Sequence, residues 1–305
     1  MLATLVAGRY ATAMKPQLRP IVTFIALVIL FSSAPYFLII RSHHLGIGSG
    51  LVTGILMWMP ALAAFATCRL LKIDLATLGW RWRPAKYEGL AYLLPILYEV
   101  PVYIACWIFV PHSLGFGVFA GAAAKSYDMP GSPGGAAVLY IIVLATFGLV
   151  RSVAAALGEE IGWRGFLLPR LTGQFGFYVG CSISGCIWAV WHYPALLLAD
   201  YNSGTPKLYA LSCFTAMVIA TAFLLGWLRL RSRSLWPCAV LHASHNLFIQ
   251  AILDALTKQD MRALYITTEF GFGLAITIAI TAFYLIRRHP LTSEDLMHPQ
   301  SALAA

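Results

Sequence analysis

Residues 136–157 read AAVLYIIVLATFGLVRSVAAAL, and residues 158–165, which follow directly, read GEEIGWRG. A helix needs about 20 largely apolar residues to cross the hydrocarbon core of a bilayer. The first stretch has that length with Arg151 as its only charge, so it predicts a transmembrane helix. The second stretch places two adjacent carboxylates at the end of this helix. Charged side chains cost roughly 2.5–3.5 kcal/mol at a membrane helix centre and persist mainly where they are paired or functional.

The composition of the whole chain is typical of integral membrane proteins. Of the 305 residues, 60% are hydrophobic and 11% are charged, and the mean hydropathy is +0.76. Soluble domains carry about 25% charged residues. The net charge of +9 fits basic cytoplasmic loops, and no basic stripe with aromatic residues indicates nucleic-acid binding. The six cysteines show no C-x-x-C spacing, so they predict neither a zinc site nor a disulfide framework.

The hydropathy pattern predicts an all-α, polytopic membrane protein with about eight transmembrane helices. With both termini in the cytoplasm, sixteen of the 21 lysine and arginine residues fall on the cytoplasmic side, as basic residues do in membrane proteins. We therefore predict a basic cytoplasmic segment at 1–19, one membrane-embedded helical domain at 20–286 and a cytoplasmic tail at 287–305, in the cell (plasma) membrane. The predicted spans are roughly 20–40, 49–71, 89–110, 136–157, 177–199, 208–228, 235–256 and 268–286.

The first polar motif is Glu159, Glu160 and Arg164. On a helix, Glu160 and Arg164 are i,i+4 neighbours in the favourable order, so they are expected to pair and to leave Glu159 at a different azimuth. Small residues allow close helix packing, so the glycines of this stretch are expected to let another helix or an extended peptide approach. The plainer interpretation is a charge cluster that marks the end of a helix.

Two further polar motifs lie inside later apolar segments. His192 follows Trp188 by one turn, and Asn246 follows His242 by one turn, so each pair projects from one helical face. His245 adds a third polar residue to the last helix. Taken singly, such residues are more often interhelical hydrogen-bonding groups than catalysts. Polar residues inside a membrane nevertheless tend to face the bundle interior and line functional paths.

Together, the three motifs carry enough chemistry to hydrolyse an amide. Glu159 can accept a proton from water as general base, and His192 can help to hold that water. His242 and Asn246 can donate hydrogen bonds to the oxyanion of the tetrahedral intermediate.

In this order on successive membrane helices, Glu-Glu-x-x-x-Arg, aromatic-x-x-x-His and His-x-x-x-Asn resemble the CAAX prenyl endopeptidase and bacteriocin-processing (CPBP, Abi) family of intramembrane proteases. The resemblance covers about residues 150–250 and implies that this region is the catalytic core. It implies catalytic roles for Glu159, His192, His242 and Asn246, with Glu160 and Arg164 shaping the site or Arg164 binding a substrate carboxylate. The family usually has Phe where this chain has Trp163 and Trp188; both are assigned substrate-binding or structural roles.

The resemblance implies that the protein is a peptidase that acts near the cytoplasmic membrane surface. Its substrate is expected to be a membrane-associated peptide or protein, in some relatives a lipidated CAAX protein and in bacterial ones a peptide linked to bacteriocin processing or self-immunity. No nucleic-acid partner is expected.

The cofactor stays open at this point. Glu159, His192 and His242 would suffice for a zinc site with an open position for water. Against zinc, the chain has no H-E-x-x-H sequence, and the same residues can activate water without a metal.

Two functional classes compete with the peptidase. Intramembrane Glu and His residues also build proton relays, which would suit a transporter or proton-linked carrier, although no internal repeat is evident. A non-catalytic relative could instead bind a peptide as an immunity protein. Glu99 and Arg151 also lie in predicted spans, and we expect a buried pair between them, or between Arg151 and Glu159.

Overall fold

A computed structural model describes residues 15–82, 85–202, 204–258 and 260–296. Over these ranges the chain forms helices and no strand, as expected for an all-α membrane protein. The predicted segment 1–19 lies mostly outside the described residues, and the first helix begins at Lys15 rather than at residue 20. The helices are α1 (Lys15–Ser42), α2 (Leu51–Leu71), α3 (Ala85–Phe109), α4 (Phe116–Ser126), α5 (Pro133–Phe175), α6 (Phe177–Leu198), α7 (Lys207–Ser232), α8 (Trp236–Asn246), α9 (Met261–Ile266) and α10 (Phe272–Arg288).

Six of these helices are long and apolar enough to cross a membrane: α1, α2, α3, α5, α6 and α7. The other two predicted spans coincide with α10, which has 17 residues, and with α8, which continues as a π-helical stretch over Leu247–Leu253. The chain is therefore a polytopic membrane protein, and the number of eight spans stays a prediction.

The fourth predicted span differs from the observed helix. The helix that contains this span is longer than the span, because α5 runs through the Gly-Glu-Glu motif to Phe175 and has 43 residues. At 1.5 Å per residue this length is about twice the hydrocarbon thickness of ~30 Å. The motif thus lies within a helix, and its charged residues are packed inside the protein: Glu159, Glu160 and Arg164 are 2%, 0% and 0% exposed.

Glycines bring α5 into close contact with α2, as the sequence predicted. A Cβ at Gly158 would lie 2.6 Å from the Met57 carbonyl oxygen, and one at Gly162 would lie 2.5 Å from Cβ of Pro60. These distances are shorter than carbon contacts allow, so only glycine permits this approach. The close packing sets the position of the carboxylates that lie on the same turns of α5.

Two π-helical segments interrupt α5, at Leu144–Gly148 and Ile161–Leu167. A π-helical turn disturbs the regular backbone ladder and frees carbonyl groups for other donors. The Tyr92 hydroxyl of α3 donates to the Ala145 carbonyl at 2.9 Å, and Nε of Arg229 on α7 donates to the Arg164 carbonyl at 3.0 Å. Helix α5 is thus held by α3 and α7 as well as by α2.

Candidate functional site

The four residues predicted to be catalytic line one cavity of about 150 Å³. Glu159 comes from α5, His192 from α6, and His242 and Asn246 from α8. The helices bring these side chains together because α5 packs against α8, and α6 packs against α7, which in turn contacts α8. The structure therefore supplies the convergence that the peptidase hypothesis requires.

Glu159 is held by the two tryptophans that stand where the family usually has phenylalanine. Its Oε2 atom accepts a hydrogen bond from Nε1 of Trp188 at 2.7 Å and a longer one from Nε1 of Trp163 at 3.4 Å. A phenylalanine has no donor to offer at either position. Both tryptophans therefore have a specific role, which is to hold one carboxylate oxygen of Glu159.

Glu160 faces a different set of partners. Its Oε1 accepts hydrogen bonds from Nη1 of Arg164 and from Nδ1 of His242, each at 2.8 Å. The guanidinium also stacks on the Trp188 ring, 4.0 Å from its centre. Pairing at i,i+4 is thus confirmed. Arg164 is fully buried and is not among the residues that line the cavity.

The hydrogen bonds of the two histidines indicate which ring nitrogens carry hydrogen. Nδ1 of His192 lies 2.9 Å from the Trp188 carbonyl oxygen, which can only accept, so Nδ1 is the donor. In the neutral ring, Nε2 is then an acceptor for a water hydrogen. Nδ1 of His242 donates to the carboxylate of Glu160, so Nε2 is the nitrogen left to serve another partner.

A second polar cluster lies beside the first; sequence reasoning named its His245 and Glu99 but neither joined them nor found Glu269. Nδ1 of His245 lies 3.0 Å from both the Tyr98 hydroxyl and Oε1 of Glu99, and Glu269 lines the cavity with His245. The i,i+3 spacing of His245 from His242 was the available signal. No periodic pattern marks Glu269, because it lies between α9 and α10.

The expected pairs of Arg151 are wrong. Arg151 is exposed on α5, and the ion pairs found among the described residues join it to neither Glu99 nor Glu159. The basic group near Glu99 is His245 instead, with Nδ1 3.0 Å from Oε1 of Glu99.

The candidate zinc ligands do not fit a metal ion in this arrangement. Zinc needs its donor atoms within about 2.0–2.3 Å, which requires ligands grouped within a few ångströms of one another. Over the ranges that the structure describes, no three His, Cys, Asp or Glu residues form such a group. Glu159, His192 and His242 line one cavity, but they are not among the described residues grouped closely enough to hold a metal ion.

Comparison with known proteins agrees with the motifs. Residues 141–248 match the family model described as Type II CAAX prenyl endopeptidase Rce1-like. A relative named CAAX prenyl protease 2, from Methanococcus maripaludis, is 24% identical over 82 residues. That match covers 26% of this chain and 30% of the relative, so the chain spans less than a third of its length. The resemblance to the CAAX protease family is thus confirmed over the segment that carries the motifs.

Proposed function

We propose that this chain, related over residues 141–248 to the Rce1-like CAAX endopeptidases, is an intramembrane endopeptidase whose general base is Glu159. The observation that carries the proposal is that the two adjacent carboxylates have different surroundings. Glu160 is bound to Arg164 and His242 away from the cavity, whereas Glu159 lines the cavity with His192, His242 and Asn246.

The first step is the activation of water. A water molecule in the cavity donates one hydrogen to Glu159 and the other to Nε2 of His192. Glu159 removes its proton while the oxygen forms a bond to the carbonyl carbon of the substrate peptide. The bonds from Trp188 and Trp163 hold Oε2, so Oε1 is the oxygen left to take the proton.

The second step is collapse of the tetrahedral intermediate. Nε2–H of a protonated His242, whose charge is balanced by Glu160, and the side-chain amide of Asn246 donate hydrogen bonds to the oxyanion. Removing one such donor typically costs about 2.7–4 kcal/mol of transition-state stabilisation. The C–N bond then breaks, and Glu159 returns its proton to the leaving amine nitrogen.

The proposed substrate is a membrane-associated peptide or protein cleaved near the cytoplasmic face. Support comes from the membrane helices that surround the cavity and from the bias of basic residues, which favours both termini in the cytoplasm and a place in the cell membrane. A CAAX protein is the substrate class that the names of the relatives suggest, and a bacteriocin-type peptide is the alternative that the family resemblance in the motifs adds.

Comparative peptidomics of membranes tests this proposal. Cells that carry the wild-type chain should contain a peptide whose terminus disappears in cells with Glu159→Gln, whereas Glu88→Gln, a carboxylate of α3 that does not line the cavity, should leave it unchanged. His192→Ala and His242→Ala should match Glu159→Gln. Wild-type function from a Glu159→Gln/His242→Ala protein would overturn catalysis in favour of an immunity protein, and substrate flux into proteoliposomes would favour a carrier.

A further inference from the structure

A second carboxylate, that of Glu269, lines the same cavity and has no part in the proposed reaction. It lies between α9 and α10 and is 6% exposed. Its Oε2 accepts hydrogen bonds from the Tyr201 hydroxyl at 2.9 Å and from the Gln250 amide at 3.3 Å. Burial and the nearby charge of Glu269 raise the pKa of Tyr201 well above its ordinary value, so this phenol remains a donor. One oxygen of Glu269 is therefore held firmly.

Among the described residues, the other oxygen, Oε1, has neither a lysine nor an arginine partner. Nε2 of His245 lies 3.8 Å from it, which is beyond hydrogen-bond distance. The other nitrogen of His245 is already engaged by Tyr98 and Glu99. Neither lysine nor arginine is among the residues that line the cavity, and within the described ranges Glu269 forms no ion pair with either residue type.

A buried carboxylate that lacks a counter-charge is costly, and a well-placed cation removes that cost. Hydrogen bonds from Tyr201 and Gln250 hold one oxygen of Glu269, and a cationic side chain of the substrate would supply the charge partner that a buried carboxylate needs. Gln250 also lines the cavity. The lining contains neither lysine nor arginine that could bind a free C-terminal carboxylate.

We propose that Glu269 determines specificity by binding the side chain of a lysine or arginine of the substrate, close to the bond that is cleaved. This inference rests on the proposed function, because it assumes that a peptide enters the cavity. It predicts that the enzyme cuts within basic segments and disfavours a free carboxyl terminus at this position.

Cleavage of matched peptides by the full chain in proteoliposomes tests the inference. The probes are internally quenched peptides that differ only in carrying lysine or norleucine at one position near the cleaved bond. The wild-type chain should prefer lysine by about tenfold or more in kcat/KM, as expected for one charge-assisted contact. Glu269→Gln should bring the ratio close to one by raising KM for the lysine peptide alone. Glu88→Gln, which removes a carboxylate of α3 outside the cavity lining, should keep the ratio.

Binding separates this inference from the proposed function. In a Glu159→Gln background, fluorescence anisotropy of labelled peptides should show the same preference for lysine, and adding Glu269→Gln should remove it. Lysine-selective binding without cleavage by the wild-type chain would refute the peptidase and keep the cation site. Equal affinity for both peptides in the Glu159→Gln chain, or a ratio that Glu269→Gln leaves unchanged, would overturn the role of Glu269.

Discussion

Replacing Trp188 by phenylalanine should impair catalysis while keeping the fold. The substitution preserves an aromatic ring beneath the Arg164 guanidinium, 4.0 Å away. It removes the indole N–H that donates to Oε2 of Glu159 at 2.7 Å. The remaining donor, Nε1 of Trp163, is 3.4 Å away. The carboxylate would therefore lose its shorter hydrogen bond and gain freedom to rotate.

The magnitude follows from the nature of this bond. A hydrogen bond to a charged group contributes about 1.5–3 kcal/mol. If the whole contribution serves to orient the base in the transition state, kcat falls roughly 10- to 150-fold. KM should change little, because Glu159 acts on water rather than on the bound peptide.

Single-turnover and steady-state cleavage of one peptide substrate by the purified chain measure this effect. Trp191→Phe is the matched control, since this tryptophan lies on the same helix and donates its N–H to Ser32 at 2.9 Å. Trp163→Phe should cause a smaller loss than Trp188→Phe. An unchanged or higher kcat in Trp188→Phe would refute the reasoning, as would an equal loss in Trp191→Phe.

Three further predictions concern stability. Gly162→Ala forces a Cβ to within 2.5 Å of Pro60 and should destabilise the chain in thermal unfolding by about 1–3 kcal/mol. The control is Gly54→Ala, whose Cβ has nothing within 4 Å and should not destabilise the chain. Equal melting temperatures for the two variants would contradict the close packing. Glu160→Gln leaves its arginine and histidine partners buried without a counter-charge and should cost about 3–5 kcal/mol, and a melting temperature close to wild type would disprove it. Burial by itself raises the pKa of Asp295, but hydrogen bonds from Thr292 and Arg231 outweigh burial and lower it. Because the folded-state pKa lies below the unfolded value of about 3.9, this group stabilises the fold above that pH and loses its effect as the pH falls through the folded-state pKa. Asp295→Asn should therefore lower the melting temperature at pH 7, and a difference from wild type that persists in acid would contradict the prediction.

Local features of the site could be predicted from sequence because they depend on helical geometry alone. The i,i+4 spacing of Glu160 and Arg164 places the two side chains on one face of any helix that contains them. Glycine at 158 and 162 leaves room for a neighbouring backbone wherever that neighbour comes from. The resemblance to the CAAX protease family over residues 141–248 was also visible in the sequence, because each motif is short and lies within one helix.

Features that join distant parts of the chain could not be predicted in this way. Arg151 and Glu99 both lie in apolar stretches, so pairing them was reasonable. The rotation of α5 exposes Arg151, however, and the packing of α3 on α8 places Glu99 beside His245. Rotation of a helix about its axis depends on all of its neighbours at once. The sequence contains no single pattern that reports it.

Composition and periodicity by themselves determined that this is an all-helical membrane protein with Glu, His and Asn residues in its apolar segments. Tertiary structure alone decided that Glu159 rather than Glu160 lines the cavity, that two indoles hold it, and that Glu269 joins the site from a segment between helices. The physical reason is the separation along the chain over which each feature acts. Hydropathy and i,i+4 spacing act within one helix, whereas a cavity forms where several helices pack closely, and these helices meet only in the folded chain.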